Sequence, residues 1–195
     1  INKMNNFKLG SHDTMTYLKP KKWYLAPVKF MAQCQNKTIQ EQFETYQIRY
    51  FDLRVRYTKK GEIEFAHGLM SFKGDVVSVL EYLQSHNEEV WVRFLLEVNK
   101  SDDIAFQEDL FKRDCAIFEE KYTNLKFHNG RRKFDWKVVY EFKNPEPSID
   151  QKVSSMTGGI WDDWYPYMYA RCMNHENIQN GTDKEFMLLD FVHIQ

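Results

Sequence analysis

Three short stretches carry side chains able to exchange protons and hold a phosphate: Gly10-Ser11-His12-Asp13, Tyr50-Phe51-Asp52-Leu53-Arg54-Val55 and Ala66-His67-Gly68. Imidazole titrates at about pH 6.5, so two histidines at one site can act as general base and general acid. A guanidinium offers two parallel donors to a phosphate. Asp52 and Arg54 alternate with Phe51, Leu53 and Val55, so on a strand the charged pair shares one face and the apolar residues the other. A carboxylate and a guanidinium turned inward are costly unless they are paired or used. Taken singly, each residue has a plainer reading: His12 or His67 as a hydrogen-bonded structural histidine, Asp52 with Arg54 as an ion pair. The Ser-His-Asp run is not in itself a triad, which needs spatial rather than sequential adjacency. The chemical reading rests on the three stretches following one another at successive strand ends.

The elements that must present these residues read as an α/β alternation. Strand-like runs fall at Phe7–His12, Arg49–Tyr57, Glu62–His67, Val90–Asn99, Leu125–His128, Lys137–Lys143, Tyr167–Met173 and Glu185–Val192. Several are near-continuous apolar runs, which suits parallel strands buried on both faces. Helical patterns lie at Thr38–Tyr46, opened by a Thr-Ile-Gln-Glu capping signal, at Asp75–His86 and at Ile104–Tyr122. Eight strands alternating with helices predict a (β/α)8 TIM-type barrel, with the working residues on the C-terminal strand ends. At 195 residues the chain is short for that barrel, so an irregular one is expected, forming a single domain over 1–195.

Composition narrows the function classes. Lys and Arg total 27 against 28 Asp and Glu, a net charge of −1, which gives no global attraction to nucleic acid. The chain is 43% hydrophobic and 16% aromatic, excluding disorder and fibrous classes. No apolar run approaches a bilayer span. Cys34, Cys115 and Cys172 are widely spaced and read as unpaired thiols rather than a zinc or disulfide framework.

In motif order the chain resembles the phosphatidylinositol-specific phospholipase C family, X-domain type, in its short bacterial form. The likeness lies in Ser11-His12-Asp13, in Arg49-Tyr-Phe-Asp-Leu-Arg54, in His67-Gly68 and in the final run Met187–Val192, where Asp190 matches a buried aspartate. The resemblance implies an irregular barrel that cleaves a phosphodiester next to an inositol ring without a cofactor or metal. His12 would be the base that deprotonates the inositol 2-hydroxyl, and His67 the acid that protonates the departing glycerol oxygen. Arg54 would lie against the phosphate, and Asp190 would hold the tautomer of His12. Asp13 and Asp52 would orient His67 and Arg54, in either pairing. Calcium-dependent relatives carry an acidic residue where Arg54 stands, so a calcium site is not expected.

The chain departs from the bacterial pattern at Glu97, where such enzymes carry a lysine that contacts inositol. Glu97 then reads either as an acceptor for ring hydroxyls or as an outward surface residue. The resemblance places a membrane-docking rim on Lys19–Phe30, with Lys21, Lys22, Trp23 and Tyr24 as contacts; a partly buried crossover is the other reading. Trp161, Trp164, Tyr165, Tyr167 and Tyr169 form a second aromatic cluster, of core or of cleft, from which Trp164 is the candidate substrate contact. His86, His128, His175 and His193 read as surface or loop residues.

The expected partner is a phospholipid at a membrane surface, met by a monomer through peripheral contact. The chain opens at Ile1, which reads as a mature chain from a secreted, cell-surface or periplasmic setting. Two other functions fit the residues: a head-group-binding module of the same fold, and a phosphodiesterase for another polyol. The acidic metal cluster of glycerophosphodiester phosphodiesterases is not evident.

Overall fold

The computed structural model describes residues 6–195. Its framework is a curled sheet of parallel strands: β1 (Lys8–Ser11), β2 (Tyr50–Tyr57), β5 (Val90–Leu96), β6 (Leu125–Arg132), β7 (Ile149–Lys152) and β8 (Phe186–Leu189). They pair in the order β7-β8-β1-β2-β5-β6. The remaining strands, β3 (Ile63–His67) and β4 (Met70–Phe72), form an antiparallel hairpin on the far half of β2.

Alternation along the strands separates two interiors. Phe51, Leu53, Val55, Val92, Phe94, Met187 and Leu189 turn outward into the main hydrophobic cluster beneath the helices. Tyr50, Trp91, Phe186 and Leu188 turn inward and plug the N-terminal end of the sheet's concave side. Gly10 is needed there, because a Cβ would stand 3.0 Å from both Leu188 and Tyr50. Further along, the inward positions become polar: Asp52 and Arg54 on β2, Arg93 on β5, His12 after β1 and Asp190 after β8.

Three expected helices form: α1 (Ile39–Glu44), α2 (Val76–Gln84) and α3 (Ile104–Lys121). Thr38 and Glu41 make the reciprocal capping box, and Asp75 and Asp103 cap the other two. The structure corrects the barrel in four places. Among the described residues no ladder joins β6 to β7, so the sheet stays open rather than closing as a (β/α)8 barrel. β3 runs antiparallel to β2, since its alternation is the same read in either direction. Lys137–Lys143 is a loop that meets β6 through the isolated Arg131–Val138 bridge, a Tyr140 amide on the Gly130 carbonyl and Phe142 stacked on Phe127. Tyr167–Met173 lies inside helix α5 (Pro166–Asn180), which follows the short α4 (Ile160–Trp164). Its aromatics suggest a strand, but Pro166 starts a helix and Pro166, Ala170, Asn174 and Asn177 are buried at helical spacing. β4 and β7 went unforeseen, being short and, for β7, largely polar. No helix among the described residues is long and apolar enough to cross a membrane.

Candidate active site

β1 and β8 are in register from Lys8–Phe186 to Ser11–Leu189, so His12 and Asp190 follow side by side. His12 Nδ1 lies 2.7 Å from Asp190 Oδ1, and the other Asp190 oxygen accepts the Ser154 amide at 2.9 Å. A carboxylate on Nδ1 fixes the proton there and leaves the lone pair on Nε2. Arg54 Nη2 donates to that nitrogen at 2.9 Å. Gln35, wholly buried, bridges the two strand ends, donating to the His12 and Leu189 carbonyls at 3.1 and 2.9 Å.

After His12 the chain turns through a left-handed Asp13, φ 41°. An aspartate tolerates that conformation better than a bulky residue. Asp13 Oδ1 sits 2.6 Å from Arg54 Nε, while Oδ2 faces His67 Nε2 at 3.2 Å and His12 Nε2 at 3.4 Å. Burial pushes the Asp13 carboxyl up; Arg54, His67 and His12 together outweigh it and hold the pKa down to about 2. Asp52 accepts Arg54 at 2.9 Å and Arg93 through both oxygens, at 2.9 and 2.7 Å. Burial opposes its charge, yet the two guanidiniums keep its carboxyl well below the ordinary range. Asp13 therefore serves both His67 and Arg54, and Asp52 serves Arg54. Arg93 escaped the sequence reading, although it sits opposite Asp52 in the ladder and in period with Glu97.

His67 ends β3, drawn back alongside β2 by the antiparallel pairing. Its Nδ1 meets the Ala32 carbonyl at 2.8 Å and its Nε2 meets Asp13. Both ring nitrogens face acceptors, which is the surrounding of an imidazolium. Burial lowers the His67 pKa and Asp13 opposes that; the side chain keeps 18% of its surface in the cleft, so its protonated form is still hydrated. Gly68, at φ 55°, is gripped from two sides: its amide donates to Glu97 Oε1 at 2.9 Å and its carbonyl accepts from Arg56.

Glu97 is thus inward and buried, and the surface alternative is wrong: alternation from Trp91 through Arg93 carries it to the concave side. Its Oε2 makes no hydrogen bond and lies 3.8 Å from Arg54 Nη1, which also has none. A cleft of about 360 Å³ opens above His12 and His67, lined also by Cys34, Lys133, Ser154 and Trp164. Arg54, Asp52, Asp190 and Glu97 are buried and take no part in this lining. Lys133, just past β6, was missed because its place depends on how the sheet curls. Burial pushes the Cys34 thiol well up, so it is no nucleophile.

On the rim, Trp23–Met31 forms a 3-10 segment with Trp23 83% exposed and Tyr24 and Lys22 also exposed. Lys21 is exposed as well, with its ammonium paired to Glu64. His128 is also corrected: it is buried inside the sheet, 2.9 Å from the Tyr50 hydroxyl, with a pKa lowered to about 3 by burial and Arg93.

The fold is shared with bacterial phosphatidylinositol-specific phospholipases C. The enzyme from Listeria monocytogenes matches with a TM-score of 0.61 over 96% of this chain and 89% of its own, at 15% identity. A single-site mutant of the Staphylococcus aureus enzyme gives 0.58 at 15% identity, and a double mutant 0.62 at 14%, each over 96% of this chain and 86% of its own. At this identity the likeness is one of fold. No protein-family model matches the sequence, and no curated protein matches it.

Proposed function

We propose that the chain is a phosphoric diester lyase that cleaves phosphatidylinositol, or the inositol phosphodiester of a glycolipid anchor, into diacylglycerol and inositol 1,2-cyclic phosphate without a metal. The observation that carries this is the asymmetry of the two histidines at one cleft. His12 has its Nδ1 proton fixed by Asp190 and a lone pair on Nε2, the state of a base. His67 has acceptors on both nitrogens, the state of an acid. His12 takes the proton of the inositol 2-hydroxyl, whose oxygen attacks the neighbouring phosphorus. His67 gives its proton to the glycerol oxygen as the P–O bond breaks. Each transfer contributes about 10²–10⁴-fold.

The nucleophile belongs to the substrate, so attack is intramolecular, and orientation supplies much of the acceleration. Arg54 offsets the charge growing on the phosphate from beneath His12, using the Nη1 that makes no protein hydrogen bond. Lys133 and Trp164 line the space for the head group, whose size suits a cleft of about 360 Å³. With Glu97 engaged by Gly68, ring-hydroxyl recognition falls to other groups, and a different polyol is the second reading.

Trp23, Tyr24, Leu69 and Trp161 are exposed apolar side chains of the kind that suit a lipid interface, where a monomer acts by peripheral contact. One Staphylococcus aureus structure is described by the modulation of that enzyme's membrane binding. A secreted or cell-surface setting fits such a substrate.

The test is hydrolysis of phosphatidylinositol vesicles in EDTA, followed by phosphorus NMR. Cyclic inositol phosphate from the wild type, lost in His12→Ala, is the expected result. No cyclic product from any inositol lipid overturns the assignment and favours another head group or a binding module.

A further inference from the structure

Cys34 has no part in the proposed reaction, yet its thiol lines the cleft beside both groups that surround the base. Its Sγ lies 3.7 Å from Asp13 Oδ2. That same oxygen is 3.4 Å from His12 Nε2, and the ligand atoms of His12, Asp13 and Cys34 all fall within 4.8 Å of one another. For zinc bonds of about 2.0–2.3 Å, the edges of a coordination tetrahedron run to about 3.3–3.6 Å. The two edges that meet at Asp13 Oδ2, 3.4 and 3.7 Å, match within a few tenths of an ångström. Among the described residues this is the one such cluster of three.

We propose that His12 Nε2, Asp13 Oδ2 and Cys34 Sγ form a binding site for a thiophilic divalent cation, zinc above all, whose occupancy blocks the base. The donor set selects the ion: thiolate, imidazole and one carboxylate suit zinc, whereas calcium and magnesium require oxygen ligands. Three protein ligands leave a fourth position open toward the cleft, as in accessible zinc sites.

The ligands are held in place before any ion arrives. The Thr16 hydroxyl accepts the Cys34 and Gln35 amides at 2.9 and 3.0 Å and donates to the Asp13 carbonyl at 2.8 Å, locking the cysteine loop to the Asp13 turn. The Cys34 carbonyl accepts the Phe191 amide at 2.6 Å, tying the same loop to the strand end that carries Asp190. Asp190 holds Nδ1, so Nε2 is the nitrogen presented, and it has the carboxylate partner typical of ligating histidines.

Binding releases the thiol proton to water, and the cation's two charges are met by thiolate and carboxylate. Arg54 gives up its contact with His12 Nε2, and His67 Nε2 gives up Asp13 Oδ2, now 3.2 Å away, while Arg54 keeps Asp52 and Asp13 Oδ1. That competition separates this site from a cofactor site: the ion occupies the lone pair that the reaction needs. The inhibitory consequence rests on the proposed function; the binding itself does not.

The experiment titrates cobalt(II), which reports thiolate ligation through a near-ultraviolet charge-transfer band, into the full chain. A Cys172→Ser background removes the exposed thiol. Expected is a band saturating at one cobalt per chain, bleached by zinc, absent in Cys34→Ala, and needing at least tenfold more metal in His12→Gln. A circular-dichroism melt checks each variant's fold; if Cys34→Ala is unfolded, the His12→Gln shift decides. No thiolate band, a band surviving Cys34→Ala, or an affinity unchanged in His12→Gln overturns the site. In parallel, zinc should inhibit vesicle hydrolysis at least tenfold, reversibly with EDTA, and inhibit Cys34→Ala far less. A cobalt band without lipid hydrolysis keeps the site and removes the proposed reaction; hydrolysis without a band does the reverse.

Discussion

Arg93→Met removes the cation that most completely holds Asp52. Arg93 gives Asp52 two hydrogen bonds, at 2.9 and 2.7 Å, and both side chains are buried. Methionine fills similar volume, so the loss is electrostatic and leaves Asp52 with Arg54 as its one guanidinium partner. Breaking a buried pair from one side costs about 3–5 kcal/mol. The sign with pH follows from Asp52, whose folded pKa lies well below its ordinary value. Such a group adds stability above its unfolded pKa, and this is lost as pH falls through the folded one. Without Arg93 the folded pKa rises, so the variant's Asp52 takes up a proton sooner and the deficit narrows as the solution is acidified. Urea unfolding of both proteins at about pH 7 and about pH 4 measures it. The Asp13 amide and Arg54 share Asp52 Oδ2, so turnover should fall with little change in KM. A deficit under about 1 kcal/mol at neutral pH, or one independent of pH, would refute the claim that Asp52 is held mainly by this pair.

Other perturbations separate the roles within the cleft. His67→Ala should lose about 10²–10⁴-fold on phosphatidylinositol but little on an ester whose leaving group departs as a stable anion, whereas His12→Ala stays slow on both; equal losses on the two substrates would contradict the acid assignment. Asp13→Asn removes the carboxylate that raises the His67 pKa against burial, so the alkaline limb of kcat/KM should move to lower pH, and an upward move would be the wrong sign. Asp13 itself, with its pKa lowered to about 2, contributes roughly 2 kcal/mol that is present above about pH 4 and lost as the pH falls toward 2; acid unfolding of Asp13→Asn should lack that component. Trp23→Ala should weaken vesicle binding about tenfold while leaving hydrolysis of a monomeric soluble substrate unchanged, because the ring is 83% exposed and outside the cleft lining.

The residues easiest to see in the sequence were those at the ends of strongly apolar strands. His12, Asp52, Arg54 and Asp190 each interrupt or follow a run whose alternation fixes their face, and the concave side gathers them. His67 was visible as a residue but not in its delivery, because a strand's pattern does not reveal its direction. Arg93 was overlooked inside the run Val90–Leu96, whose apolar neighbours mask its shared period with Glu97. Cys34, Gln35 and Lys133 lie in or next to loops, and nothing in their local pattern announces that they meet β1, β8 or the cleft. Helix α5 was misread for the opposite reason: its tyrosines favour a strand, and only the burial of Pro166, Ala170, Asn174 and Asn177 shows the helical face.

The charges beneath the cleft set the surroundings of the two histidines. The carboxylates of Asp13, Asp52, Glu97 and Asp190 are gathered around the guanidiniums of Arg54, Arg56 and Arg93. Lys133, 3.9 Å from Glu97, adds a fourth positive charge, so the balance is met without a proton on His67; Asp13 favours that proton, but burial outweighs it and leaves the His67 pKa below its ordinary value. Hydrogen bonding rather than net charge distinguishes the two rings: Asp190 holds Nδ1 of His12, whereas both nitrogens of His67 face acceptors. An arriving phosphodiester brings one more negative charge, and the remaining positive groups are Arg54 Nη1, which has no hydrogen bond, and Lys133 in the lining. A phosphate drawn to Lys133 enters the cleft that His12 and His67 both line, where base and acid are within reach of one substrate.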